Sequence, residues 1–306
     1  MRLIRAANEL GPTGKACLAI GFFDGVHLGH QQIIRQTITD ARAHEALALV
    51  LTFDRHPSTI VAPNRVPPLI YSLPQKLRAI ETLGADVLLL IHFDEAFSQQ
   101  TGEAFIRSLA RDLERIQSLC VGANFVFGHK RSGNVELLKE LGRELKFAVH
   151  ALAAVALDGK PVSSTRIREA IRCGDLDAAS QMLGRAYSLA GTVLKGDSLG
   201  RQLGFPTANL DVTGLALPPT GVYAVHAQAG GKIHRAVLNI GYRPTLQNPA
   251  PQLRVEAHLI DFQADLYGQE LELTFVDKLR DEMKFPSLSD LRDQIALDIL
   301  EAQLRF

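Results

Sequence analysis

Cysteine is scarce. The chain carries only Cys17, Cys120 and Cys173 in 306 residues. They are odd in number and widely spaced with no C-x-x-C pair, so neither a zinc site nor a disulfide framework is expected, and a reducing cytosol suits them. An excess of either charge is lacking too, since Lys+Arg total 33 and Asp+Glu total 33. That excludes the broad basic surface of a general nucleic-acid binder. No apolar run approaches the ~18–20 residues that a membrane helix needs; residues 86–93 and 151–157 are strand-length. The first 22 residues break their apolar positions with Asn, Glu, Gly, Pro and Lys, so no secretory leader is expected. Internal repeats and low-complexity tracts are also missing. What remains is 46% hydrophobic, too apolar for a disordered chain. Its length suggests two domains at ~100–200 residues each. A soluble, cytoplasmic globular protein is expected.

The first 150 residues alternate short apolar runs with amphipathic stretches. Strands are expected at 17–21, 48–53, 86–92, 118–121 and 147–154, and helices at 30–44, 75–83, 101–113 and 134–145. This spacing predicts βαβ units and a doubly wound parallel sheet, whose ligands bind outside the carboxyl ends of the strands. Helical signals continue through 164–172 and 176–183. Beyond Tyr187 the texture changes to alternating segments at 189–194, 222–228, 232–238, 254–260 and 270–278, separated by Gly, Pro and Asn. Such segments predict an antiparallel barrel. A final helix over 289–304, capped by Ser287 or Ser289, would turn Leu291, Ile295 and Ile299 inward. The fold class is therefore α/β with a barrel, divided into residues 1–186 and 187–306.

Residues 21–30, G-F-F-D-G-V-H-L-G-H, join the first strand to the first helix. Gly21 and Gly25 allow close backbone approach, and the helix start offers unpaired N–H groups to an anion. His27 and His30 can both face a phosphate chain there. Two other readings exist: a metal pair completed by Asp24, or a surface accident. The H-x-G-H element resembles the nucleotidyltransferase superfamily that includes the class I aminoacyl-tRNA synthetases. Residues 162–168, V-S-S-T-R-I-R, resemble its second signature. That resemblance implies that Ser163, Ser164, Thr165 and Arg166 or Arg168 clamp ATP phosphates, with Gly21, Phe23, Asp24, Gly25, His27 and His30 completing the nucleotide site. A plain helix cap would explain the hydroxyl run alone. Residues 122–128, G-A-N-F-V-F-G, are similar to a flavin adenylyltransferase element, which implies that Asn124 and Phe125 meet the flavin. Core packing is the competing reading for Phe125 and Phe127. Residues 52–57, T-F-D-R-H-P, form another loop after a strand, similar to the family's T-F-x-x-H-P. Family members usually carry Glu-Pro or Asp-Pro before that histidine; Arg55 departs from this and is assigned no role.

Residues 199–210, L-G-R-Q-L-G-F-P-T-A-N-L, hold the most specific stretch. Thr207 and Asn209 lie on one face of an extended segment after a prolyl turn, and their oxygens are hard donors suited to Mg²⁺ or its waters. No G-K-[ST] is present, so this is not a Walker A loop. An ordinary turn is the alternative. The stretch resembles the riboflavin kinase signature, which implies that Gly204, Phe205, Pro206, Thr207 and Asn209 form a nucleotide and flavin loop. G-V-Y-A at 221–224, N-I-G-Y-R-P-T at 239–245, V-E-A-H-L at 255–259, D-F at 261–262, D-L-Y-G at 265–268 and R-D-E-M-K-F at 280–285 match the same pattern. Alternation sets Glu256 on one polar face with Arg254 and His258. A strand glutamate by itself reads as a solvated surface residue; the resemblance implies a general base.

With its motifs in family order over about residues 15–305, the chain is similar to the prokaryotic bifunctional riboflavin kinase/FAD synthetase family. This implies a kinase barrel that makes FMN from riboflavin and ATP, and an N-terminal domain that adenylylates FMN to FAD with release of pyrophosphate. The expected partners are riboflavin, FMN, ATP and Mg²⁺, with at most weak self-association and neither nucleic acid nor membrane. Arg201 and residues 280–286 would form flaps near the kinase site. The alternatives are a monofunctional FMN adenylyltransferase with a degenerate kinase domain, and a flavin-binding regulator without turnover.

Overall fold

The computed structural model describes residues 1–11, 15–196, 199–243 and 252–306; Pro244 and Thr245 of the N-I-G-Y-R-P-T stretch lie outside them. Two compact units are formed, Met1–Pro68 with Leu73–Arg166, and Leu69–Ser72 with Ile167–Phe306.

The first unit is built on six strands: β1 (Arg2–Ile4), β2 (Lys15–Ile20), β3 (Leu47–Phe53), β4 (Val87–Ile91), β5 (Arg115–Gly122) and β6 (Ala148–Leu152). They run parallel in the order β1-β4-β3-β2-β5-β6. Strands buried on both faces need apolar residues at successive positions, which is why these runs show little alternation. Leu18, Leu49, Leu51, Leu89 and Leu119 pack on one face against α3 (Gly102–Asp112) and α4 (Val135–Leu145). The intervening Ala19, Val50, Leu88, Leu90 and Cys120 pack on the other against α1 (Leu28–Ala43) and, through Ile80, α2 (Leu73–Glu81). Short polar side chains fix the helix starts: Thr101 Oγ1 accepts the Ala104 N–H at 3.3 Å, and Asn134 Oδ1 accepts that of Leu137 at 2.9 Å. The residues expected to open α3 and α4 are thus their caps. Strand β1 was not anticipated, because three residues are too few to display a period.

The chain lays down β2, β3 and β4 on one side before returning to place β5 beside β2. The loops after β2 and β5 therefore diverge, and a cleft opens at this switch point.

The second unit contains α5 (Ser164–Cys173) beyond Arg166, α6 (Leu176–Leu183) and six strands: β7 (Ser188–Leu194), β8 (Ala208–Asp211), β9 (Gly221–Ala229), β10 (Lys232–Arg243), β11 (Gln252–Leu259) and β12 (Glu270–Arg280). They close into an antiparallel barrel in the order β8-β11-β10-β9-β12-β7, which leaves no exposed sheet edge. Tyr223, Val225, Leu238, Val255, Ala257 and Leu273 fill its interior. On the outside, Val222, Ala224 and Val237 pack with Ala302 and Ile299 of α7 (Leu288–Gln303). Ser287 is the cap of α7, its Oγ accepting the Asp290 N–H at 3.2 Å. Leu69–Ser72 is woven into this unit. Leu69 N–H donates to the Gly214 carbonyl and Ala216 N–H to that of Leu69, both at 2.7 Å, while the Tyr71 hydroxyl accepts from Arg185 Nε at 3.0 Å.

Candidate active sites

A cavity of about 310 Å³ lies at the carboxyl ends of β2, β5 and β6, lined among others by Gly21, Phe23, His27, His30, Asn124, Phe125 and Ala153. Its floor is the turn that leaves β2. A Cβ at Gly21 would stand 2.8 Å from the buried Phe23 ring, which would have to shift to admit any side chain. Phe23 and Val26 take left-handed backbone angles, φ 54° and 41°. Such conformations cost ~1–3 kcal/mol each and collect at working sites. Asp24 and Gly25 are buried in the same turn, and the Gln31 amide holds the Val26 carbonyl at 2.9 Å.

His27 is 6% exposed and caps α1: its Nδ1 accepts the His30 N–H at 3.4 Å. The two imidazoles stack with centroids 3.6 Å apart. Burial, then His27, then Lys76 drive the His30 pKa well below its ordinary value. His30 is therefore a neutral donor at pH 7, and its buried Nδ1 has no hydrogen-bond partner among the described residues. An orphaned polar atom in a cleft invites a ligand. The donors suit an anion better than a cation, and among the described residues no group of three His, Cys, Asp or Glu could hold a metal ion.

Other nominated residues are placed less uniformly. Asn124 and Phe125 follow β5 onto the cavity wall, and Phe125 stacks on Phe127 at 5.1 Å. Phe125 and Phe127 both pack against the core as well. Ser164 Oγ donates to the Asp24 carbonyl at 3.3 Å, joining the second signature to the first. Ser163 Oγ accepts the Arg166 N–H at 3.3 Å. The Arg166 guanidinium reaches instead the carbonyls of Leu157 and Lys160, at 3.1 and 3.2 Å. Thr165 is exposed, and Arg168 is grouped with the second unit.

One residue of this region escaped the sequence reading. Lys76 is 3% exposed, and burial lowers its pKa to about 8 against the pull of Asp24 and Asp54. A lysine on an amphipathic helix reads as solvated. Its spacing of three from Leu73 and four from Ile80 was the available signal, for it shares their apolar stripe. Asp54 forms a second pair nearby. Burial opposes its ionisation, but His92 Nδ1 at 2.5 Å and the Phe93 N–H at 3.1 Å outweigh that and lower its pKa.

The barrel carries a larger cavity of about 1000 Å³, lined by Thr207, Asn209, Asn239, Arg254, Glu256 and His258 together with apolar residues. Asn209 on β8 and Glu256 on β11 are directly paired in register. Val255 and Ala257 point into the core, so Arg254, Glu256 and His258 share the cavity face, with Arg254 3.9 Å from Glu256. The loop before β8 is tightly folded, since a Cβ at Gly200 would meet the Phe205 carbonyl at 2.5 Å. Phe205 lies edge-on to His258, whose Nδ1 is 2.8 Å from the Pro206 carbonyl. Gly204 and Pro206 are exposed on that loop, as is Arg201, which does not line the cavity. Arg280, Glu282 and Phe285 do line it, with Leu291, Ile295 and Ile299 of α7. Glu282 Oε1 accepts the Tyr242 N–H at 2.9 Å, and Arg280 grips Asp298 through two 2.8 Å contacts.

One chain thus carries two candidate sites, a switch-point cleft with an imidazole pair and a barrel cavity with a carboxylate. A family model described as FAD synthetase matches residues 12–166, and one described as riboflavin kinase matches residues 183–306. The chain belongs to the bifunctional riboflavin kinase/FMN adenylyltransferase family. Relatives of that description are 37% identical in Haemophilus influenzae over 100% of this chain and 99% of theirs, and 35% identical in Bacillus subtilis over 94% and 92%. In Escherichia coli the identity is 36% over 99% and 97%. A crystal structure described as a macrolide-efflux protein from Streptococcus pneumoniae superposes with a TM-score of 0.82 at 28% identity, covering 99% of each chain. Among the described residues, no helix is long and apolar enough to cross a membrane.

Proposed function

We propose that the barrel cavity phosphorylates riboflavin and the switch-point cleft adenylylates the FMN so formed, with the functional boundary at residues 186/187. The pairing of Asn209 with Glu256 on one cavity wall carries the kinase assignment. There, Glu256 takes the proton of the ribityl hydroxyl as its oxygen attacks the γ-phosphorus of ATP, and ADP leaves. Thr207 and Asn209 supply neutral oxygen donors, and no carboxylate cage surrounds them. That set fits Mg²⁺, which keeps few protein ligands and takes the rest from phosphate and water. When bound it neutralises charge on the phosphate oxygens. Gly204, Phe205 and Pro206 shape the loop that positions the nucleotide and flavin.

In the cleft, a phosphate oxygen of FMN attacks the α-phosphorus of a second ATP and pyrophosphate departs. No covalent enzyme intermediate is needed; alignment and preorganised donors do the work. His27 and His30 hydrogen-bond the α-phosphate, and the orphaned His30 Nδ1 supports this reading. Gly21, Phe23, Asp24 and Gly25 form the turn beneath the phosphates, with Ser163, Ser164 and Thr165 assigned to the ATP phosphates and Arg166 or Arg168 to the leaving pyrophosphate. Asn124 and Phe125 meet the flavin. The substrates are small molecules, the compartment is the cytoplasm, and self-association is weak at most.

The single-activity and regulator readings are not favoured, because both family models match. Purified protein incubated with riboflavin, ATP and Mg²⁺ should yield FMN and then FAD on flavin chromatography. FAD formed only from supplied FMN would select the monofunctional reading, and no product at all the regulator.

A further inference from the structure

Lys76 lies on α2, outside every motif so far assigned to either activity. Its Nζ donates to the Phe53 carbonyl at 2.8 Å, to the Phe22 carbonyl at 3.2 Å and to Thr52 Oγ1 at 3.3 Å. Thr52 in turn donates to the same Phe22 carbonyl at 2.9 Å. The ammonium also stands 4.2 Å over the Phe22 ring, whose other close ring neighbour is His56 at 4.7 Å. All three donors of a buried cation are thus spent on two peptide carbonyls and a hydroxyl.

Burying a charge in this way is unfavourable, and an apolar side chain of similar length would fill the volume without that penalty. What the apolar side chain could not do is tie the turn that leaves β2 to the end of β3. Phe22 sits between Gly21 and the strained Phe23, at the start of the turn that leads to the imidazole pair. Fixing the Phe22 peptide from below fixes the direction in which that turn departs.

We propose that Lys76 is a positioning residue for adenylyl transfer: its ammonium clamps the Phe22 peptide to the end of β3 and so sets the 21–30 loop in the shape that presents His27 and His30 to the nucleotide. This rests on the assignment of FMN adenylylation to the cleft. Misplacement of reacting groups by about 1 Å is enough to cost about 10²-fold in rate.

Deprotonation removes one of the three donors and the attraction of the ammonium for the Phe22 ring, so the clamp is at full strength only while the lysine is charged. The ionisable groups facing it are Asp24 and Asp54, which favour the ammonium, and the His30 imidazole, which stays neutral. Burial dominates and brings the pKa to about 8. The clamp is therefore strongest below about pH 8 and weakens as pH rises through it.

The test measures FAD formation from saturating FMN and ATP, from about pH 7 to pH 9, for the wild type and Lys76→Met. Riboflavin phosphorylation by the same samples serves as control. The wild-type FAD-forming rate should fall as pH rises through about 8, with no matching fall in phosphorylation. Lys76→Met should be about 10²-fold slower at pH 7 and flat across the range. A variant within about twofold of wild type overturns the proposal, and so does a slow variant that keeps the alkaline fall, which would mark a packing role only. Should Lys76→Met fail to fold, the wild-type profile decides, and a flat FAD-forming rate overturns the clamp. A wild-type chain that forms no FAD at any pH overturns the reading of the cleft instead.

Discussion

His30 and Lys76 share one loop cluster but solve burial in opposite ways. His30 gives up its charge, and Lys76 keeps its own by spending every donor on backbone and hydroxyl oxygens. The lysine's folded pKa of about 8 lies below the unfolded value of 10.5. Between those values the unfolded chain holds the extra proton, so Lys76 contributes stability that rises with pH over that window. An alkaline loss of adenylyl transfer would then not be unfolding of the lysine's surroundings. Single substitutions should also separate the activities. His27→Ala removes one preorganised donor and should lower FAD formation by ~10²–10³ while FMN formation persists. Glu256→Ala or Asn209→Ala should abolish phosphorylation and spare the conversion of supplied FMN. Separate assays with riboflavin and with FMN check both, and equal loss of the two activities in either variant would contradict two sites.

At the scale of elements, the 280–285 segment and α7 act together. Asp298 is 3% exposed and receives a two-pronged Arg280, with Gln294 adding a contact at 2.9 Å. Asp298→Ala would leave Arg280 largely buried without its carboxylate. A loss of ~3–5 kcal/mol in the stability of the barrel unit is expected in denaturant unfolding, together with weaker phosphorylation because Arg280 and Glu282 line that cavity. Much of this element pattern was readable beforehand. Leu291, Ile295 and Ile299 follow helical spacing and do face the barrel cavity, and the caps Thr101, Asn134 and Ser287 sit where short polar residues precede apolar runs. Strand β8 was legible only as an extended segment, because its first two residues, Ala208 and Asn209, belong to the P-T-A-N motif, where turn signals mask alternation. Lys76 was hidden by its type: its place on the apolar stripe hinted at burial, but its partners, Phe22, Thr52 and Phe53, lie far away in sequence.

Across the whole molecule, the two fold types were legible because they differ in period. Runs apolar on both faces build the parallel sheet, and alternating runs build the barrel. Less legible was which stretch of chain supports which unit, since contacts between residues far apart in sequence leave no local pattern. Leu69–Ser72 precedes α2 yet packs with Gly214, Ala216 and Arg185. Splitting the gene in two at codon 187 would therefore orphan the barrel from a borrowed tetrapeptide, with the 3% exposed Tyr71 gone. The shortened barrel should melt below its counterpart in the intact polypeptide, and a synthetic peptide spanning residues 66–74 should restore part of the difference. Anyone dissecting the two halves by truncation would otherwise mistake a missing brace for a weak catalyst.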